Sequence, residues 1–295
     1  MTNLTPTEIY LLSLQSKVSK TCMVSRFNII ADKLQGVSSH RELDWSKVNY
    51  VSVLSLIQSM TEEGKSPSTV NTYLSAIKGG ANAAWKESVL SVEDYQRIKD
   101  VKRVKGVRSD KGISLTTQEV KALITTCDGS VSSLRDSALL ALTYSAGLRR
   151  EEVAKLDISA IDMIEESVTI MGKGNKQVTN PINSSAVVVL QKWIKVRGKG
   201  KGGLFPRIRK GGNISTECIS GQGVGDLVIK RAKTIGLVRL SSHDLRRSFC
   251  TNLLEAGEDL FTVSSLMRHA SLSTTQIYDK RSNIVKKQAA KRLSF

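Results

Sequence analysis

Apolar residues in the first hundred positions recur at spacings of three and four, the period of an amphipathic helix. Thr5, Pro6 and Glu8 predict a helix start, with Ile9, Leu11, Leu12 and Leu14 behind it, because a hydroxyl caps open amides and proline suits the first turn. Residues 25–34 place Phe27, Ile30, Ala31 and Leu34 at helical spacing. Trp45 opens another segment that runs through Val51, Val53, Leu54, Leu56, Ile57 and Met60. The stretch 63–67 ends it and starts the next, where Val70, Tyr73, Leu74, Ile77 and Ala81 lead to Trp85. A short fifth helix is expected around 91–99. Little of this has strand character, so residues 1–96 are predicted as a helical bundle.

The pattern changes after position 112. Thr116 and Glu119 resemble a capping box before Val120, Leu123 and Ile124. Residues 134–145 form an apolar helix that Gly147 ends, and 151–156 read as a short one. Val168 to Met171 and 177–182 have strand composition around the turn 172–176, which predicts a β-hairpin. A helix over 186–196 follows, then a loop of Gly, Lys and Arg over 198–213. Further helices are expected over 223–236, 243–256, 259–268, 273–280 and 284–292. The fold class is thus mainly α with a small antiparallel β-sheet in the C-terminal part. The organisation is a helical domain over 1–96, a linker over 97–112 and a second domain over 113–295.

Composition narrows the function. In 295 residues, 44 Lys and Arg face 27 Asp and Glu, a net charge of +17. A 40% hydrophobic, 24% charged chain folds rather than staying disordered. No apolar run is long enough for a membrane span, and residues 1–20 lack the apolar stretch of a secretory signal. Cys22, Cys127, Cys218 and Cys250 are widely spaced, which fits reduced, buried or half-buried thiols better than zinc or disulfides. The positive excess points to a polyanion, since Lys and Arg that neutralise phosphates release counterions. Residues 1–112 hold 16 basic and 11 acidic side chains, and the remainder 28 and 16, so most of the excess lies in the second part. The linker itself carries Arg97, Lys99, Lys102, Arg103, Lys105, Arg108 and Lys111 against Asp100 and Asp110. Such a run serves equally as a solvated connector or as a phosphate-tracking strap, and the whole-chain charge favours the strap.

Four short patterns carry candidate chemistry. Arg149 and Arg150 follow Gly147-Leu148, with Glu152 three residues on. Alone, this reads as a helix start with its usual acid. In the stretch 242–249, His243 and Arg246 share a helix face and can clamp an anion, or simply form a basic face beside a capping Ser242, with Arg247 adjacent. Arg268 and His269 end a helix, and Tyr278 follows on the next. It is the only tyrosine after Tyr144, and a lone late tyrosine is ordinarily packing. Lys173 and Lys176 flank the hairpin turn, where an ammonium either faces solvent or reaches into a cleft as an acid. There is no phosphate-binding glycine loop, no His-Glu-x-x-His metal pair and no carboxylate cluster for two metals. Neither metal nor organic cofactor is expected.

Taken together, these patterns resemble the tyrosine recombinase and phage integrase family, in particular its two-domain, Xer-like and mobile-element members. An Arg after Gly-Leu, a hairpin Lys, a His-x-x-Arg, a late His and a Tyr nine residues beyond it occur in order as Arg149, Lys173, His243, Arg246, His269 and Tyr278. Residues 66–77 also look like the helical core-site-binding domain, and no additional arm-binding domain is expected ahead of it. One departure is Arg268, where many relatives have glycine before the late histidine.

The resemblance implies a SAM-like bundle and a catalytic domain that form a C-shaped clamp around DNA. It implies site-specific recombination through a 3′-phosphotyrosyl intermediate and a Holliday junction. Tyr278 would be the nucleophile, Arg149 and Arg246 the phosphate cations, and His269 a further phosphate donor. His243 would handle the proton at the nucleophile, Lys173 would protonate the leaving oxygen, and Glu152 would support the site. Arg97, Lys99, Lys102, Arg103, Lys105, Arg108, Lys111, Arg150, Lys176, Arg247 and Arg268 are the candidate DNA contacts. The implied partner is double-stranded DNA with inverted-repeat core sites. The assembly is a homotetramer on two duplexes, monomeric or weakly dimeric when free, helped by accessory DNA-bending proteins, in the cytoplasm on the nucleoid and with no membrane. The segment after Tyr278 packs either on its own domain or on a neighbour. A type IB topoisomerase and a non-catalytic DNA-binding relative are the rival readings.

Overall fold

The computed structural model describes residues 4–106, 112–126, 128–172, 177–269, 271–279 and 291. It is mainly helical with small antiparallel sheets, as the pattern predicts. The chain divides into two compact units, Met1–Asp110 and Lys111–Phe295.

The first unit holds α1 (Pro6–Ser13), α2 (Lys17–Gln35), α3 (Tyr50–Glu62), α4 (Pro67–Lys86) and α5 (Val92–Asp100). Thr5 caps α1 as expected, and Glu8 returns the bond to complete a capping box. Helix α2 begins well before position 25, because Ser16 caps it, and its early turns are mostly exposed and so lack an apolar period. Trp45 does not open α3. Residues Trp45–Lys47 form a 3₁₀ turn capped by Asp44, and Asn49 caps α3. Trp45 is buried instead, and its Nε1 donates to Thr7 Oγ1 at 3.0 Å. Gly80 of α4 lies under that indole, where a Cβ would meet the ring at 2.3 Å, so only glycine permits this approach. Phe27, Ile30, Val53, Leu56, Met60, Leu74 and Ile77 complete the core.

The stretch expected as linker from position 97 is helical to Asp100. Ile98 and Val101 are buried in this core, and Asn71 pairs with the Val104 backbone in both directions at 2.9 and 3.0 Å. Charge density hid an apolar face one residue wide. Lys78 Nζ donates to the carbonyls of Lys99 and Val101 at 2.6 and 2.7 Å, which closes the helix end.

The second unit begins with α6 (Thr117–Thr125), α7 (Val131–Ser145) and α8 (Arg150–Ala154). Strands β1 (Ile161–Asp162), β2 (Ser167–Met171) and β3 (Gln177–Pro181) form one antiparallel sheet in that order. Val168 pairs with Asn180 and Ile170 with Val178, and Val168 and Ile170 point into the core. Helix α9 (Ser184–Arg197) packs on α7, with Leu190 and Trp193 fully buried.

The loop expected over 198–213 contains β4 (Pro206–Ile208), which pairs with β5 (Ile214–Cys218) in a second, two-stranded sheet. That hairpin is mostly exposed and polar, so no alternation announced it. Helices α10 (Gly221–Thr234), α11 (Ser242–Glu255), α12 (Leu260–Met267) and α13 (Leu272–Gln276) complete the unit. The helix expected over 284–292 lies outside the described residues apart from Lys291.

Asp136 of α7 accepts from Arg135 at 2.7 Å and from Arg231 of α10 at 3.0 Å. All three side chains are nearly buried, so removing one would strand the others' charge. Of the cysteines, Cys22 and Cys218 are exposed, contrary to the expectation of buried or half-buried thiols. Cys250 is buried, and burial pushes its thiol up to about 11. Cys127 lies outside the described residues.

Candidate active site

The end of α7 sets the first segment of the candidate site. Ala146 and Leu148 are fully buried, and Gly147 between them has φ +57°. A Cβ at 147 would also lie 2.6 Å from the Phe249 ring, so the sharp turn requires glycine twice over. The turn presents Arg149 as the N-cap of α8 with its side chain 47% exposed. A guanidinium has no acceptor, so only the return half of a capping box can form: Glu152 Oε2 accepts from the Arg149 backbone N–H at 2.8 Å. Glu152 Oε1 accepts from Arg149 Nη1 at 2.7 Å. Burial would raise the Glu152 pKa, but the Arg149 backbone bond and the Arg268 and Arg149 charges outweigh it and hold the carboxyl below its usual value.

Ser241, not Ser242, caps α11, and it does so reciprocally with Asp244. The other Asp244 oxygen accepts from Ile113 N at 3.1 Å, and Ser248 Oγ accepts from Leu115 N at 2.8 Å, which docks the unit's entry strand along this helix. Arg246 is 2% exposed and donates to the carbonyls of Gly147 and Met267. Burial, then the Arg149 and Arg268 charges, lower its pKa to about 10, so it stays a cation at neutral pH. His243, one turn earlier, is exposed overall, yet its ring sits among packed atoms. That partial burial and the charges of Arg246 and Arg247 lower its pKa.

Tyr278 brings the last segment in. Its hydroxyl is 3.3 Å from His243 Nε2, and its ring packs with Phe249, Cys250, Leu254, Val263 and Met267. The Arg247 guanidinium lies 5.0 Å from the ring centroid, a cation–π distance. His269 stacks near the same ring at 6.1 Å between centroids, and its Nδ1 is 2.8 Å from Thr275 Oγ1. Burial first, then Arg246, Arg149, His243 and Arg268, lower the His269 pKa to about 4.

A consequence is measurable. The unfolded chain binds a proton at His269 near its ordinary value, but the folded chain does so only near pH 4. The unfolded state therefore holds more protons in between, and stability falls as pH drops from about 6.5 toward 4. Denaturant midpoints across that range should show this slope, and His269→Asn should flatten it. An equal slope in the variant would exclude His269 as its source.

The fold thus gathers Arg149, Glu152, His243, Arg246, His269 and Tyr278 in one unit. Arg149 and His269 line a cleft of about 1360 Å³ with Lys155, Thr169, Gln177 and Ser265. Lys173, Lys176, Arg108 and Lys111 lie outside the described residues. Arg97, Lys99, Lys102, Arg103 and Lys105 are exposed on the helical unit, and Arg150 is exposed at the start of α8. Two expected DNA contacts are turned inward instead. Arg247 is 9% exposed beneath Tyr278 and within 3.9 Å of Asp244, and the Arg268 side chain is 9% exposed against Glu152. Both follow from position: one falls on the buried face of α11, the other at the closed end of α12.

Two contributors escaped the sequence reading. Asn180, 2% exposed, donates to the carbonyls of Ala146 and Leu266 at 3.1 and 2.8 Å, and so bridges β3 to the ends of α7 and α12. Its signal was a polar residue in phase with Val178 and Ile182 on a strand. Thr275, fully buried, orients His269. Among the described residues no group of three His, Cys, Asp or Glu side chains could hold a metal ion, and no helix is long and apolar enough to cross a membrane.

Two arginines, two imidazoles and a tyrosine hydroxyl come together in this unit, with Arg149 and His269 lining the cleft, a set suited to an anionic phosphate ester with an oxygen nucleophile at hand. Residues 114–283 match the phage integrase family. Tyrosine recombinase XerC of Actinobacillus pleuropneumoniae serotype 7 (strain AP76) is 33% identical over 239 residues, 79% of this chain and 74% of that one. The Tn1549 transposon integrase in complex with a circular intermediate DNA superposes with a TM-score of 0.72 at 16% identity, over 99% of this chain and 100% of that one. A lambda integrase tetramer bound to a Holliday junction gives 0.69 at 15% identity, over 94% and 76%. The chain belongs to the phage integrase family and is by class a tyrosine recombinase.

Proposed function

We propose that this protein cuts and rejoins DNA at specific sites, exchanging strands between two duplexes through a covalent enzyme intermediate. The observation that carries the reading is the Tyr278 hydroxyl 3.3 Å from His243 Nε2, in the unit where Arg149 and Arg246 supply fixed positive charge. The Tyr278 oxygen attacks phosphorus, the bond to the 5′-oxygen breaks, and a 3′-phosphotyrosine and a 5′-hydroxyl result. His243, neutral at pH 7, takes the phenolic proton. Arg149, Arg246 and His269 stabilise the charge that builds on the non-bridging oxygens. Lys173 gives the departing oxygen its proton. The reverse attack by a 5′-hydroxyl from the partner duplex completes exchange, so the phosphodiester energy is kept and no ATP is consumed.

The helical unit, with its exposed Arg97, Lys99, Lys102, Arg103 and Lys105, binds the core site, and Arg150 adds a phosphate contact in the catalytic unit. Protomers bind inverted repeats, and four assemble on two duplexes, in keeping with the tetrameric neighbour bound to a Holliday junction. Accessory bending proteins act on the DNA between sites. The protein works where the DNA lies, in the cytoplasm.

Duplexes retained by the protein from a random library supply the test substrate. Mixed pairwise with a chelator present, one of each pair labelled, they should yield recombinant products that require both sites. Relaxation of any supercoiled plasmid without such products would instead establish a topoisomerase. Retention of DNA with neither outcome would establish a binding protein.

A further inference from the structure

Arg268 is placed at a cost. It has φ +53° at the C-terminus of α12, a left-handed conformation that a side chain disfavours, and its Nε is buried with no hydrogen-bond partner among the described residues. Its guanidinium nevertheless points inward. Nη2 donates to Glu152 Oε2 at 2.7 Å and to Gly147 O at 3.3 Å. Nη1 donates to Leu266 O at 3.1 Å and to Ala146 O at 3.4 Å. The same carbonyls serve other donors: Ala146 and Leu266 accept from Asn180, and Gly147 accepts from Arg246.

Resting on the recombinase reading above, we propose that Arg268 is a positioning residue for strand cleavage. It holds the Glu152 oxygen that the Arg149 guanidinium does not, and ties the Arg149 turn to the turn that carries His269. Glu152 has two carboxylate oxygens. One accepts from the Arg149 guanidinium, and the other is shared between the Arg149 backbone and Arg268. With both oxygens held, the carboxylate cannot rotate, and the Arg149 head keeps a fixed direction toward the cleft. Three further carbonyl contacts need a planar fork, so an ammonium cannot replace it. A surface phosphate contact would instead leave this head exposed, and it is not.

The test uses the full chain and library-selected duplexes bearing a nick, which trap the covalent adduct after one turnover. Arg268→Gly relieves the left-handed backbone but removes a buried fork, so it should melt lower than wild type; at a temperature where both are folded it should bind DNA within about twofold, yet form adduct about tenfold more slowly. Arg268→Lys should fall between the two. In a Glu152→Gln background, adding Arg268→Gly should slow the reaction by less than about twofold more, because both act through one contact. An unchanged rate in Arg268→Gly overturns the proposal. So does an affinity loss equal to the rate loss, which would make Arg268 a DNA contact, and so do losses that multiply in the double variant. No adduct from wild type would instead overturn the recombinase reading, and this inference with it.

Discussion

Tyr278→Phe should bind DNA as wild type does and form no covalent adduct, a loss of at least about 10⁴ in single-turnover rate. The substitution is clean because the ring stays. The ring belongs to a buried cluster with Phe249, Cys250, Leu254, Val263 and Met267, and the Arg247 guanidinium lies over it. What is removed is one oxygen and its 3.3 Å contact with His243, so stability should change by less than about 1 kcal/mol. Adduct is read as a protease-sensitive DNA species on nicked duplexes. Equal adduct from the Phe variant would move the nucleophile elsewhere. Tyr144, the other tyrosine of this unit, is a poor substitute, since its hydroxyl is 2.9 Å from Asn252 Nδ2 and accepts its proton.

Arg246→Ala should lose both stability and rate. The guanidinium is 2% exposed and holds the carbonyls of Gly147 and Met267, the residues just before each catalytic turn. Alanine would leave two buried carbonyls with fewer donors and open a cavity, at a cost of about 3–5 kcal/mol. The rate should fall by about 10²–10³ as well, the effect of deleting one transition-state cation. Arg246→Lys separates the two. It keeps a charge but offers one point where two carbonyls and a phosphate need three, so the fold should recover more than the chemistry. Urea midpoints and single-turnover adduct formation measure each. If Arg246→Ala unfolds at the wild-type midpoint, the buried bridge has no structural weight. A rate within about threefold of wild type would remove it from the chemistry.

The net charge of +17 resolves into different duties across the chain. Arg246, Arg247 and Arg268 are largely buried and act inside the catalytic unit, on carbonyls, an aromatic ring and a carboxylate. Arg97, Lys102, Arg103 and Lys105 remain exposed on the other unit. Three arginines within 23 positions of the second unit are therefore used inward, on partners that residue counting does not reveal.

Local rules read much of the architecture directly. Helices with caps and apolar stripes, such as α4 and α11, follow from spacing alone, since a side chain's face on a helix depends only on its register. The β2–β3 hairpin was legible for the same reason. The set Arg149, His243, Arg246, His269 and Tyr278 stood out only through its resemblance to the recombinase family, because each pattern alone reads equally as a helix start, a basic face or packing. Long-range demands were not legible. The stretch 98–104 expected as part of the linker is instead packed, because Ile98 and Val101 find a core made by other helices. The β4–β5 hairpin forms without an apolar pattern of its own, and Trp45 is buried by a 3₁₀ turn that Asp44 and Asn49 set.

The sequence by itself determined which groups are available: one late tyrosine, two late histidines and arginines beside three turns, in an order that a recombinase needs. Tertiary structure alone decided where each charge points. Arg268 faces Glu152, and Asn180 joins β3 to the ends of α7 and α12, because carbonyls left open at those ends come together only in the folded unit. A buried carbonyl without a donor is costly, so those ends draw in the nearest donors, and no local spacing encodes which donors those are.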